Sequence, residues 1–326
     1  MFRRFAFAAA LLALTSAPLA AQPSYSRVFF FGTSELDVGN WLVDPTLSSN
    51  PNGPLAGNGY WNGRWSSGYA WSDYLSQLLL GQNSTPSLLN GDNYAYGLGW
   101  LGPLPGEIPT PGTLRANSAL YFGTQVNAAI AKNGGALPSN ALYVISVGSN
   151  DVDFWQRTVD QADDVANLAL QHIQTLVNAG ARNFLVQTLG GTTPYVMTYN
   201  QTLLAGLAAI NGINVSVVDT RTFNQTIVLA PGFEASLGIT QPTGNCLADP
   251  VCAAAAKAKT LVGEMYLDSP YRSFDGIHRD TKLSEALALY AVTQLVPEPG
   301  TYALVALGLI ATGLVHRKRR KFGSTI

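Results

Sequence analysis

The chain is 326 residues long, with 47% hydrophobic and 12% charged residues and a formal net charge of −1. That length can bury a full core in one large domain, and the near-neutral balance excludes a protein that grips nucleic acid or anionic lipid through a basic surface. The balance is uneven along the chain: residues 22–296 carry twelve basic and nineteen acidic side chains, about −7 net, because Arg3, Arg4 and the basic run 317–321 lie outside that stretch.

In chain order, residues 1–21 (MFRRFAFAAALLALTSAPLAA) join two arginines to an apolar stretch and end on small residues, as an export signal does, with cleavage expected near Ala21. RVFFFG (27–32) reads as a buried strand, and Ser34 follows it at once in FFFGTSELDVGN. Residues 41–67 and 97–118, rich in Gly, Pro, Asn and Trp without periodicity, read as long loops, a length uncommon unless functional. Apolar spacing predicts helices over 68–80, 121–132, 159–179, 196–210 and 281–295. Further strands are expected at 141–148, 183–190 and 213–219. Strands alternating with helices argue for a parallel sheet covered on both faces, with the active site at the carboxyl ends of the strands, where Ser34, Asn150 and the region after Leu189 fall. No internal repeat or second domain is evident.

Near the end of the body, SFDGIHRDT places Asp275 three residues before His278. A nucleophilic serine needs a base to take its proton and a carboxylate to hold that base in one tautomer, and the three can lie far apart in sequence. Of three histidines, His172 sits in an apolar-periodic helix and His316 follows the apolar segment 301–315, which leaves His278 as the base for Ser34. A Gly-x-Ser-x-Gly elbow is excluded because position 36 is leucine. GLGWLG (97–102) has the spacing of a dinucleotide fingerprint, but the PLPGEIPTPG that follows cannot open a helix. Trp41, Trp61, Trp65, Trp71 and Trp100 cluster in the loop-rich first third, either lining a substrate groove or packing beneath the loops.

Four ordered stretches resemble the GDSL or SGNH family of serine esterases and lipases, over almost the whole body from Val28 to about Leu295. FGTSELDVGN is similar to the family's first block, with Ser34 as nucleophile and Asp37, Gly39 and Asn40 matching. GDNYAYGLG is similar to the second block, VISVGSND to the third and SFDGIH to the fifth. The resemblance implies a three-layer α/β/α sandwich with a mainly parallel sheet of flavodoxin-like type. It also implies carboxylic ester hydrolysis through Ser34, Asp275 and His278 without metal or cofactor. The oxyanion donors it implies are the N–H groups of Ser34 and Gly97 and the Asn150 amide, with Asp37 and Asp151 supporting. The sequence departs from the family at Thr33, where aspartate is usual, and at Leu98, where a second glycine is usual. The Thr33 departure leaves room for an alternative, a surface or matrix binding protein that keeps the fold without turnover.

Cys246 and Cys252 form the pair in GNCLADPVCAAA, for which export makes a loop-closing disulfide the default, since zinc would lack ligands. Beyond the body, 301–315 carries no charge; at 1.5 Å per residue these fifteen residues reach about 22 Å, short of a bilayer core of about 30 Å unless flanking residues or local thinning help. A short buried helix is the alternative, but the basic run at 317–321 favours a cytoplasmic end. Pro297-Glu298-Pro299, the apolar segment and the basic end resemble the PEP-CTERM sorting signal. This implies processing by an exosortase-type protease, transient membrane anchoring through the tail, and release to the cell surface or beyond. Three segments are therefore expected: a signal peptide (1–21), a hydrolase domain (22–296) and a sorting tail (297–326).

Overall fold

The computed structural model describes residues 24–295; the expected signal peptide and sorting tail lie outside the described residues. Strand β1 (Val28–Gly32) is followed by helix α1 (Trp71–Leu80) and, after a long loop, by α2 (Phe122–Lys132). Then come β2 (Leu142–Ser146), α3 (Ala162–Asn178), β3 (Asn183–Gln187), α4 (Pro194–Ala209) and β4 (Asn214–Val218). A small pair, β5 (Gln241–Asn245) and β6 (Tyr271–Ser273), brackets α5 (Pro250–Leu261), and α6 (Thr281–Leu295) closes the domain. The four main strands are parallel in the order β1-β2-β3-β4.

Side-chain alternation along these strands sorts the core into two layers. Phe29, Phe31, Tyr143, Ile145, Phe184 and Val186 pack against α2, α3 and α4. Val28, Phe30, Leu142, Val144, Leu185 and Val218 face the other way, against α1 and α6. Every residue of β1 and β2 is buried, which is why both read as unbroken apolar runs. Truncating one such side chain, Phe31→Ala for instance, costs about 3–5 kcal/mol. The result is a parallel sheet covered on both faces, as the alternation predicts, and the three-layer α/β/α sandwich that the family resemblance implies.

On the other side of β1, residues 92–96 run parallel to it through Phe30 N–H to Asp92 O (3.0 Å), Tyr94 N–H to Phe30 O (2.7 Å) and Tyr96 N–H to Gly32 O (3.1 Å). With this segment as a fifth strand, the order in chain sequence is 2-1-3-4-5, the flavodoxin order. The chain leaves β1 toward one side and later returns on the other, so the switch point lies at the carboxyl end of β1.

The loop expected over 97–118 is held by short turns at Leu114–Ala116 and Ser118–Leu120 and by Arg157, which pairs with Glu107. Asn117 Nδ2 reaches Thr46 Oγ1 at 2.9 Å and so ties this loop to the one over 41–67. Trp41, Trp71 and Trp100 are fully buried, and Trp41 and Trp100 pack together with Leu47, Tyr96 and Leu120 beneath the loops. Cys246 and Cys252 are joined by a disulfide, their Cα atoms 5.1 Å apart. Among the described residues, no helix is long and apolar enough to cross a membrane.

Candidate active site

The carboxyl end of β1 is fixed by a glycine that cannot be replaced. A Cβ on Gly32 would lie 2.1 Å from Ser146 O, and its φ of 149° is unfavourable for other residues. The buried Gln125 of α2 grips both sides of this residue, accepting from Gly32 N–H at 2.8 Å and donating to Gly32 O at 3.0 Å. Immediately beyond, Thr33 O accepts the N–H groups of Leu36 and Asp37, which turns the chain sharply and leaves Ser34 at its crest.

Opposite that crest lies the β6–α6 connection. Asp275 Oδ1 accepts the N–H groups of Ile277 (2.9 Å) and His278 (2.7 Å), a side-chain-closed turn that the three-residue spacing permits. Its other oxygen, Oδ2, meets His278 Nδ1 at 2.6 Å. On the far edge of the imidazole, Nε2 is 2.7 Å from Ser34 Oγ. A carboxylate only accepts, so Nδ1 donates to Asp275, and in the neutral imidazole Nε2 is then the acceptor facing the serine hydroxyl. The three predicted residues thus form one continuous relay, although Ser34 and His278 are 244 residues apart.

Burial alone would raise the Asp275 carboxyl. The hydrogen bond and charge of His278 and the two backbone N–H groups outweigh that and bring it down to about 2. Two further contacts on this assembly are not readable from sequence. Tyr60 donates its hydroxyl to Asp275 Oδ2 at 2.8 Å, and the Trp65 indole lies 5.3 Å from the imidazole centre. His172, by contrast, is half-buried on α3, its ring against Phe122 of α2.

Asn150 sits just past β2 with its Nδ2 donating to Gly99 O at 2.8 Å, and one amide hydrogen remains. Asp151 is buried and accepts from Leu101 N–H at 3.2 Å, which pins the 97–118 loop to the end of β2; burial pushes its carboxyl up to about 7. Asp37 has a similar supporting place. It accepts from Gly39 and Asn40 at 2.8 Å each and from Trp41 at 3.4 Å, capping the single helical turn Asn40–Val43, while burial pushes it up to about 6.

Here one expectation is corrected. The Gly97 N–H is not open toward Ser34, because it is donated to Asp37 Oδ2 at 2.8 Å. A Cβ at Gly97 would fall 2.3 Å from the Trp65 ring, so glycine is needed there for close packing. The next residue, Leu98, has a φ of 54°, and its N–H, like that of Ser34, has no hydrogen-bond partner among the described residues. It directly precedes Gly99, whose carbonyl holds the Asn150 amide.

A cleft of about 390 Å³ opens over the strand ends and is lined by Ser34, Asn150 and His278. Among the described residues no group of three or more His, Cys, Asp or Glu could hold a metal ion. A hydroxyl, an imidazole and a carboxylate thus stand in hydrogen-bonded series at the switch point of a doubly wound α/β sheet. The chain belongs to the GDSL-like lipase/acylhydrolase family, whose model it matches over residues 28–291. Residues 295–320 match the PEP-CTERM protein-sorting motif. The chain is also similar to "Lipase 1" of Photorhabdus luminescens, 28% identical over 235 residues, which is 68% of this chain and 32% of that protein. It therefore spans about a third of that relative's length.

Proposed function

We propose that the protein is an exported serine esterase that cleaves carboxylic esters through an acyl-serine intermediate. The observation that carries this reading is the unbroken relay from Ser34 Oγ to His278 Nε2 (2.7 Å) and from His278 Nδ1 to Asp275 Oδ2 (2.6 Å). Ser34 Oγ attacks the ester carbonyl as Nε2 takes its proton, and Asp275 holds the resulting imidazolium. Nε2 then returns the proton to the departing alcohol, and water repeats the sequence on the acyl-enzyme. The tetrahedral oxyanion is held by the N–H of Ser34, the free amide hydrogen of Asn150 and the N–H of Leu98, which takes the place expected of Gly97.

The sorting motif supports export, processing by an exosortase-type protease and transient anchoring through the tail, with release to the cell surface or beyond. The test is hydrolysis of 4-nitrophenyl acetate by the purified protein, alongside labelling by a fluorophosphonate. Turnover and labelling are expected, and both disappear in Ser34→Ala. A wild-type protein silent in both assays would favour a binding protein on this fold.

A further inference from the structure

The cleft beside Ser34 contains two buried polar atoms that nothing in the domain satisfies. Gln187, 5% exposed, ends β3 and donates from Nε2 to Glu35 Oε2 at 3.1 Å. Because that carboxylate can only accept, the contact fixes the orientation of the amide and makes Oε1 the free acceptor. Oε1 has no hydrogen-bond partner among the described residues. Thr220, 4% exposed, follows β4; its N–H is donated to Thr188 Oγ1 at 3.2 Å, but its own hydroxyl likewise has no partner. Both residues line the same cleft as Ser34, Asn150 and His278. Buried polar atoms are nearly always paired in native proteins, so two orphans in one wall, next to a reactive hydroxyl, point to a ligand that pairs them.

The rest of the wall has matching chemistry. Ser146, Ser149, Asp153 and Asn224 add hydroxyl, carboxylate and amide groups to it. Apolar contributions come from Leu189 and from Phe154 and Ile277, the last two being exposed at the lip. An aliphatic chain laid along this wall would leave Gln187 Oε1 and Thr220 Oγ1 unpaired. Hydroxyl groups would pair both, since a hydroxyl donates to the amide oxygen and either donates to or accepts from threonine. A second hollow at Ser34, lined by Trp65 and Trp71, measures only about 20 Å³, room for one small group. The cleft must then hold the bulkier half of the ester, and His278, which protonates the departing alcohol, stands at its edge.

We propose that the cleft binds a hydroxyl-rich alcohol, a saccharide unit or a glycerol, through Gln187 and Thr220, and that the ester cleaved is a short acyl ester of that alcohol. This rests on the esterase reading of Ser34.

The experiment compares three esters that share one acyl group: acetylated cellobiose, glycerol monoacetate and hexyl acetate. At least one hydroxyl-rich ester is expected to exceed hexyl acetate in kcat/KM by about tenfold or more, since a site built to pair hydroxyls discriminates against analogues lacking them. Gln187→Met combined with Thr220→Val should shrink that ratio by about tenfold or more. The better of the two hydroxyl-rich esters identifies the source as saccharide or glycerol. Hexyl acetate used equally well, or a ratio untouched by the double substitution, overturns the proposal.

Calorimetry on Ser34→Ala protein with the same two hydroxyl-rich esters reads the cleft without turnover and needs no cleft substitution. Binding of either, even by a protein without esterase activity, supports the cleft and leaves the esterase reading to fail alone. Hydrolysis of hexyl acetate together with no binding of either overturns the cleft and spares the esterase.

Discussion

Tyr60 donates its hydroxyl to Asp275 Oδ2, the same oxygen that receives His278 Nδ1, so one carboxylate atom is shared between a loop tyrosine 215 residues upstream and the imidazole. The tyrosine ring is itself held edge-on by Trp65 and Phe274. Tyr60 therefore orients the carboxylate that orients the base. Tyr60→Phe keeps the ring contacts and removes only the hydrogen bond. Losing a bond to a charged acceptor that keeps its two backbone N–H groups should lower kcat about tenfold. KM should stay within about twofold, because Tyr60 does not line the cleft. Steady-state kinetics on 4-nitrophenyl acetate separates this from a merely structural loss, which would lower Tm and leave the surviving enzyme's kcat unchanged.

Asn150 has two demands on one amide, the Gly99 carbonyl and the proposed oxyanion. Asn150→Ala should reduce kcat by roughly a hundred to a thousandfold, the usual cost of removing one such donor. Asn150→Asp should be at least as damaging, since it places a negative charge where negative charge develops. Both variants should retain the wild-type circular dichroism spectrum, because the strands and helices of the two cores do not depend on this side chain. An Asn150→Ala enzyme within about threefold of wild type would remove Asn150 from the oxyanion site.

Strands β1 and β2 were legible because buried parallel strands must be apolar on both faces, and Val28 to Phe31 and Leu142 to Ile145 are. That Ser34, Asp275 and His278 would lie together was legible because a relay of this kind needs rare residue types, and the chain has three histidines. The fifth strand over 92–96 was not, since GDNYAYG alternates nothing and its pairing consists of backbone bonds to β1. Helix α5 did leave a signal: Asp249 caps it through the N–H groups of Val251 and Cys252, Pro250 opens it and four alanines follow. Gln125, Tyr60 and the use of the Gly97 N–H by Asp37 depend on partners 93, 215 and 60 residues away, and local pattern does not encode such contacts.

The disulfide should matter to both stability and rate. Cys246 and Cys252 pack with Ala256 and Phe274 in one small cluster, and Phe274 immediately precedes Asp275. Closing a loop of this size stabilises by about 2 kcal/mol through chain entropy, which for a domain of this length is about 4–8 °C in Tm. Cys246→Ser with Cys252→Ser is expected to show that drop in thermal melting. kcat should fall several-fold as the Asp275 turn loosens, while the main sheet, which the cluster does not touch, stays intact. An unchanged Tm would detach the disulfide from the stability of this segment.

Stability should rise on mild acidification. Burial pushes Asp37 and Asp280 up to about 6 and Asp151 up to about 7, whereas in the unfolded chain such groups protonate near 4. Between about pH 7 and pH 4 the folded protein thus binds protons that the unfolded chain has released, so lowering the pH through that window favours folding. Asp275 acts in the opposite sense. Burial works to raise it, but His278 and the backbone hold it at about 2, so the unfolded chain takes up this proton first and stability falls as the pH drops from about 4 toward 2. Melting curves should therefore give a Tm that climbs from pH 8 to a maximum near pH 4–5 and then declines. Asp151→Asn, which removes the group that titrates highest of the three, should flatten the climb between about pH 8 and pH 6. A Tm that decreases steadily from pH 8 to pH 5 would show that these buried carboxyls remain ionised at no cost.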